Sequence, residues 1–390
     1  MPLSPYRVLD LTTVRSGPTC TKVLADLGAA VLRVERPGDS GRDRAYFDQA
    51  DLQRNKKSLV LNLQHPKGVA ILRALAARAD VVVENYRPDV KHRLGIDDDS
   101  LRGDNPRLIY ASISGFGQDG PYRDRPGYDQ IVQGMSGLMS LTGTAETAPL
   151  RIGIPIGDLL AGYFAALGIV AALIERERSG LGQRVETSLL EALVGSLSFQ
   201  SVRYLNTGEV PPPVGNHHPL TAPMGVYRVK DGHLNLAVGN DDMWGRLCRA
   251  LDLPELAGDP RFATNASRLQ HRAAMDEILE AALAKKPAAE WVDFLNAAGV
   301  ACGPIYTVEQ VFADPQVARA GLVHELNHPV WGLHRVMGLP VRLGRTPARV
   351  TTAAPIPGAH TREVLGELGY DERAIGALLA DGVVEEAKHR

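Results

Sequence analysis

Residues 6–37 read YRVLDLTTVRSGPTCTKVLADLGAAVLRVERP. Two near-continuous apolar runs, 6–11 and 30–35, flank a segment at 19–27 whose apolar residues recur with helical spacing. Strands with unbroken apolar character belong to parallel sheets covered on both faces. The stretch is therefore read as strand, helix, strand, the opening unit of an α/β fold. The same pattern continues outward. Residues 58–63 (SLVLNL), 80–85 (DVVVEN) and 107–113 (RLIYASI) supply three more strands, with a helix over 66–78. Long helices are expected over 128–141 and 157–178, then a short strand at 184–187 leading into a helix over 189–205.

Composition then changes. Residues 207–223, TGEVPPPVGNHHPLTAP, read as a linker. A hairpin turning at Asp231-Gly232 is expected over 225–238, followed by helices at 242–251, 268–284 and 288–298. From about 321 the chain is strand-like, then extended, and it ends in helical pieces around 361–368 and 372–379. The fold class is α/β: a large domain with a parallel sheet, plus a smaller α+β domain. The expected boundaries are 1–206 for the large ligand-binding domain, 207–223 for the linker, 224–320 for the small α+β domain and 321–390 for a return linker and the C-terminal part of the large domain.

The 390 residues carry 43 basic and 45 acidic side chains, a formal charge of −2 that argues against a dedicated nucleic-acid binder. A hydrophobic fraction of 44% is too high for a disordered chain. Only nine of the basic residues are lysine, so arginine forks are abundant for clamping phosphates or carboxylates. Three cysteines, Cys20, Cys248 and Cys302, fit no zinc spacing and suit a reducing compartment. No metal site is expected. The start shows no basic-then-apolar signal pattern, and the uncharged stretch 159–174 is too short to span a membrane, so a cytoplasmic protein is expected. The first turn, Thr12-Thr13-Val14-Arg15-Ser16-Gly17-Pro18, lacks the glycine fingerprint of dinucleotide enzymes, and no GxSxG elbow occurs.

Asp158 is the most informative residue. It opens a helix whose next sixteen residues are uncharged, and Ile152-Gly153-Ile154-Pro155-Ile156-Gly157 precedes it. An aspartate there can be a simple cap. It can also be a nucleophile, because a partly desolvated carboxylate attacks activated acyl groups.

Val8–Thr12 (VLDLT) with Gly17-Pro18, VLRVERP at 31–37, NKKS at 55–58, VVVENYRP at 81–88, NPRLIY at 105–110, SISGFG at 112–117 and GYDQIVQGMSGLMSLTG at 127–143 together resemble the class III CoA-transferases. Arg93-Leu94-Gly95, Asp158 and Gly215-Asn216-His217 extend the resemblance to essentially the whole chain. The resemblance implies a Rossmann-like large domain built from both chain ends, in an interlocked homodimer threaded by linkers at about 207–223 and 320–357. It also implies where CoA, a substrate and not a bound cofactor, would lie. Arg15 and Ser16 follow the first strand, Arg36 the second, Leu61 and Gln64 the third, and Asn85, Tyr86 and Arg87 the fourth. Arg93 would sit near the phosphates, with Arg125 and Tyr128 along the pantetheine.

Asp158 would be the nucleophile, with Gly215, Asn216 and His217 gating the site and backbone N–H groups near Gly157 or in the gating loop stabilising oxyanions. Gln64 stands where many relatives carry a basic residue, and a glycine-run loop is absent, which argues against oxalate. The expected activity is acyl-CoA:carboxylate CoA transfer, with small-molecule partners and neither nucleic acid nor membrane. Two alternatives stand beside it. One is a 2-methylacyl-CoA racemase, opposed by Tyr128 in the Gly127-Tyr128-Asp129 triplet where such enzymes carry histidine; the other is an inactive CoA-binding protein. Arg15 pairs with a CoA phosphate, with a nearby acid, or with the distal carboxylate of a short dicarboxylate such as succinate.

Overall fold

The computed structural model describes residues 1–38 and 46–387. Its strands are, in chain order, β1 (Arg7–Asp10), β2 (Ala30–Glu35), β3 (Lys56–Leu61), β4 (Val81–Glu84), β5 (Ile109–Ser114), β6 (Arg184–Ser188), β7 (Met224–Val229), β8 (Gly232–Ala237), β9 (Ala301–Pro304), β10 (Val323–His328), β11 (Gly332–Met337) and β12 (Val384–Glu385). Seven of them form one sheet in the order β12-β3-β2-β1-β4-β5-β6. All neighbours in it are parallel except β12, which pairs antiparallel with β3.

The apolar runs are explained by double coverage. Val8, Val31, Val81, Val83, Ile109 and Ala111 face helices Ser16–Asp26 and Ile156–Ser179. Leu9, Leu59, Leu61, Val82 and Tyr110 face the other way, toward helices Pro66–Ala76, Thr361–Glu367 and Glu372–Ala380. Val81, Val82 and Val83 have no exposed surface at all. Strand order reverses between β1 and β4, and open α/β sheets bind ligands outside the carboxyl ends at such a switch point.

Buried ion pairs fix those carboxyl ends. Asp10 accepts from Lys56 Nζ at 2.9 Å and from the Thr12 and Thr21 hydroxyls at 2.6 Å. Burial opposes its charge, but Lys56 and the two threonines hold its carboxyl below the usual range. Glu84 accepts from Lys91 Nζ at 2.9 Å and from the Ser112 hydroxyl at 2.5 Å. At the opposite, amino ends, Arg54, just before β3, and Asp26 meet at 2.6 Å with about 1% of each side chain exposed. Removing one partner of such a pair strands a buried charge, at about 3–5 kcal/mol.

The described residues divide into two compact units, one of 1–138, 151–209 and 320–390, the other of 139–150 and 210–319. The second unit contains the antiparallel sheet β7-β8-β9 and a core built on Tyr227, Trp244, Phe262 and Leu279. Its hairpin turns one residue earlier than the sequence reading has it, because Val229 pairs with Gly232 across Lys230-Asp231. Residues 139–150, drawn into the first domain on sequence, cluster with the second unit. The Gly215 N–H donates to the Gly143 carbonyl at 2.7 Å and ties the two segments of that unit together.

Three expected helices are broken. The one over 128–141 stops at Ser136 and restarts at Leu138, with Gly137 at φ +86° between. The one over 189–205 divides at Ser196–Ser198, where Ser198 takes φ +55°. The one over 268–284 divides at His271. Helix Tyr46–Gln53 was not foreseen. Its Ala50 packs against Leu326 and Val336 of the β10–β11 hairpin. Among the described residues one helix, Ile156–Ser179, is long and apolar enough to cross a membrane. Its Ala161, Ala165, Ile169 and Leu173 are instead buried in the core on the first face of the sheet.

Candidate active site

The turn after β1 is braced from two sides. Asp10 accepts the Thr12 N–H at 3.0 Å. Asn85, just after β4, accepts the Thr13 N–H at 2.9 Å and donates to the Thr13 carbonyl at 2.8 Å. Between these anchors and the helix Ser16–Asp26, Val14 is held at φ +64°. A β-branched residue there carries about 1–3 kcal/mol of strain. Gly17 is required because a Cβ would lie 2.3 Å from Thr12 Cβ. The result is a rigid step that presents Arg15 and Ser16.

Asp158 lies in the first turn of helix Ile156–Ser179. This helix crosses helix Ser16–Asp26 at Gly162, where a Cβ would stand 2.6 Å from the Ser16 carbonyl oxygen. Residues four apart share a helix face, so Asp158 is turned toward Ser16. The loop before it is stitched by Gln133, which accepts the Ile152 N–H at 2.9 Å and donates to Ile154 at 3.3 Å. Gln133 also donates to Asp129 Oδ2 at 2.7 Å. Asp129 Oδ1 accepts the Gly157 N–H at 2.8 Å and so caps helix Ile156–Ser179 from 28 residues away. That N–H, expected to serve an oxyanion, is already engaged.

Burial, then the charge of Asp129, push the Asp158 carboxyl up to about 6, against the pull of Arg15 and Ser16. At neutral pH it is therefore ionised and more basic than an ordinary carboxylate. That combination suits a nucleophile better than a cap. Arg15 already has a partner: its Nη2 lies 2.5 Å from Asp48 Oδ1. The nearby acid foreseen as one partner of Arg15 is Asp48.

Arg36 follows β2, is exposed, and exerts its charge on Tyr86. Burial raises the Tyr86 phenol to about 12, with Arg36 opposing. Arg15, Ser16, Arg36, Asn85 and Tyr86 are thus gathered around the carboxyl ends of β1, β2 and β4. Asn85 spends both ends of its amide on Thr13, so its side chain positions the turn. Arg87 lies 3.8 Å from Asp89, and Arg93 is exposed on helix Pro88–Leu94. Leu61 does not join them: its side chain is fully buried in the core, and its strand edge pairs with Val384. Gln64 is exposed and donates its N–H to Asn62.

Arg125 stacks over the Tyr122 ring at 3.8 Å, and Tyr128 heads helix Asp129–Met135 with 64% exposure. Gly115 and Gly127 bring these loops together, since a Cβ on Gly115 would lie 2.6 Å from Gly127 Cα.

Gly215, Asn216 and His217 belong to the second unit, where they line a cavity of about 540 Å³ with Met224, Asn235 and Cys302. His217 Nε2 lies 3.8 Å from Asp276, which accepts from the Tyr227 hydroxyl at 2.8 Å. Another cavity, about 600 Å³, is lined by Arg7, Ala30 and Lys57 at the amino ends of β1–β3. That is the end of the sheet opposite Asp158. No group of three or more metal-ligating side chains occurs among the described residues.

Sequence reasoning missed Asp48, Gln133 and the capping role of Asp129. Asp129 stood in a quoted block, but nothing local points to a partner 28 residues on.

The model of CoA-transferase family III matches residues 3–361. The mouse protein named succinyl-CoA:glutarate CoA-transferase is 39% identical over 99% of this chain and 91% of its own length. The Agrobacterium fabrum protein named succinate–glutarate CoA-transferase is 39% identical over 95% and 97%. A solved structure of a CaiB/BaiF family protein from Brucella suis superposes with a TM-score of 0.84, at 35% identity over 94% of this chain and 99% of that one. The chain belongs to CoA-transferase family III and is a CoA-transferase.

Proposed function

We propose that the chain transfers CoA between two carboxylic acids, at least one of them a short dicarboxylate such as succinate, with Asp158 as the nucleophile. An Asp158 oxygen attacks the acyl-CoA carbonyl; the C–S bond breaks, leaving a mixed anhydride and CoA thiolate. The thiolate then attacks the Asp158 carbonyl, expelling the first acid and leaving an aspartyl-CoA thioester. The acceptor carboxylate attacks that thioester and regenerates thiolate, which takes the acyl group and frees Asp158. Every nucleophile and leaving group is an anion, so no net proton is consumed. The observation that carries this reading is the Asp158 carboxylate in the first turn of its helix, pushed up to about 6 by burial and Asp129 and set beside Arg15 at the switch point of the sheet. Among the first-turn donors of its helix, the Asp158 N–H is the one left to meet an oxyanion, since Gly157 is engaged.

Arg36, Arg87 and Arg93 are read as contacts to the CoA phosphates and nucleotide, and Arg125 and Tyr128 as the pantetheine wall. Gly215, Asn216 and His217 are read as the gate. The dicarboxylate assignment is supported by the relatives' names and by a cation next to the nucleophile.

The working form is read as an interlocked homodimer in the cytoplasm. Tyr163, Phe164, Leu167 and Ile174 expose 43–65% of their surface along helix Ile156–Ser179, an apolar stripe that a second copy would cover.

Asp158→Ala should abolish transfer and leave CoA affinity nearly intact. Hydroxylamine should intercept an acyl or CoA adduct on Asp158, detectable by mass spectrometry. Turnover at the wild-type rate in Asp158→Ala would refute the mechanism.

A further inference from the structure

We propose that Asp48 is a resident carboxylate on Arg15, and that its competition with the substrate's distal carboxylate sets how strongly the enzyme prefers diacids. The inference rests on the reading of Arg15 as the diacid contact. Asp48 holds Arg15 through one nitrogen, Nη2, at 2.5 Å. Among the described residues no other hydrogen bond of the Arg15 side chain is seen, while its backbone carbonyl accepts the Thr19 N–H at 2.8 Å. The pair is partly solvated, with 30% and 21% of the side chains exposed.

Asp48 is held in place without Arg15. It lies in the first turn of helix Tyr46–Gln53, where the helix dipole favours a negative charge. That helix is pinned by Asp51, which meets Lys22 at 2.8 Å and Arg54 at 2.7 Å, and by buried Ala50. Asp48 can therefore release the guanidinium without the helix moving.

The consequence differs between substrates. A monocarboxylate leaves the Arg15–Asp48 pair intact, and its alkyl end meets a neutralised cation. A dicarboxylate must displace Asp48 or share Arg15 with it, and its distal charge then faces Asp48. The pair thus tempers diacid binding and makes monoacids tolerable.

The test is a double-mutant cycle: wild type, Arg15→Leu, Asp48→Asn and the double variant. Each is assayed with succinate and with butyrate as acceptor, comparing kcat/KM and KM. Asp48→Asn should raise the succinate-to-butyrate ratio about fivefold, mainly through KM, as expected for a half-exposed ionic contact. In the Arg15→Leu background it should change nothing. Asp48→Ala should repeat the result, and a purely structural role would move both substrates together.

If Arg15→Leu collapses the ratio but Asp48→Asn and Asp48→Ala leave it unchanged or lower it, Asp48 is only a buttress and the inference is overturned. If Arg15→Leu leaves the ratio unchanged, the diacid role of Arg15 falls, and the inference with it. CoA transfer itself would survive that result.

Discussion

Asp129→Asn tests the electrostatics of the proposed nucleophile, and it also gives up the 3.8 Å ion pair of Asp129 with Arg151. Asp129 is the second-largest influence raising the Asp158 carboxyl to about 6, after burial itself. Asparagine keeps Oδ1 as the acceptor for the Gly157 N–H, so the cap on helix Ile156–Ser179 is retained. Its Nδ2 would face Gln133 Nε2, now 2.7 Å from Asp129 Oδ2, and that contact must loosen. Losing one like charge from a shared site lowers a carboxyl by about one unit.

The sign follows directly. In the proposed mechanism only ionised Asp158 attacks, so activity falls as pH drops through its pKa, and a lower pKa carries activity further into acid. With the limb moving from about 6 to about 5, the ionised fraction at pH 5 rises about fivefold. The assay is kcat/KM for acyl-CoA between pH 4.5 and 8, with each variant normalised to its own plateau. The plateau should fall modestly, because a weaker base is a weaker nucleophile. An acid limb that stays near 6 or moves upward would refute this account of how Asp158 is tuned.

Asp158→Asn should be more stable than wild type at pH 8 by up to about 3 kcal/mol. The ionised group is disfavoured by folding, and the gap should close as pH falls from 6 toward 4 in thermal melts. Arg36→Ala and Arg93→Ala should each weaken CoA binding by about tenfold in calorimetry, and unchanged affinity in both would reject this placement of the nucleotide. Gly162→Ala forces a methyl against the Ser16 carbonyl oxygen and should cost about 1–3 kcal/mol of stability while lowering kcat, measured by denaturation and by turnover. Solvent deuterium should not enter the α-position of 2-methylacyl-CoA, since Tyr128 stands where a racemase needs a base; rapid uptake seen by mass spectrometry would revive that activity.

The alternation of strands and helices was legible because double coverage writes near-continuous apolar runs into β2, β4 and β5. Asp158 was legible because its helix start is charged and its surroundings are not. What escaped was set by distant partners. Helix Tyr46–Gln53 has no apolar stripe of its own and is held by ion pairs to Lys22 and Arg54. The breaks at Gly137 and Ser198 lie inside patterns that keep helical spacing on both sides. Leu61 was placed at the ligand by following its strand to the end, but strand alternation turns its side chain into the core and β12 closes its edge. The grip of the Asn85 side chain on Thr13 was not legible, because an amide can hold either a ligand or a turn.

The last strand also bears on the order in which the protein can be made. β12 borders β3, and residues 384–385 pair with 60–61. The same margin is laced by Thr351 and Thr352 donating to Asn55, and by the Gly358 N–H donating to Ser58. A ribosome delivers β1 to β6 long before it delivers these residues. Throughout that interval β3 is an open sheet edge with unpaired backbone groups, a template for pairing with other nascent chains. The scaffold around Asp158 is therefore synthesised well before the edge that guards it against aggregation.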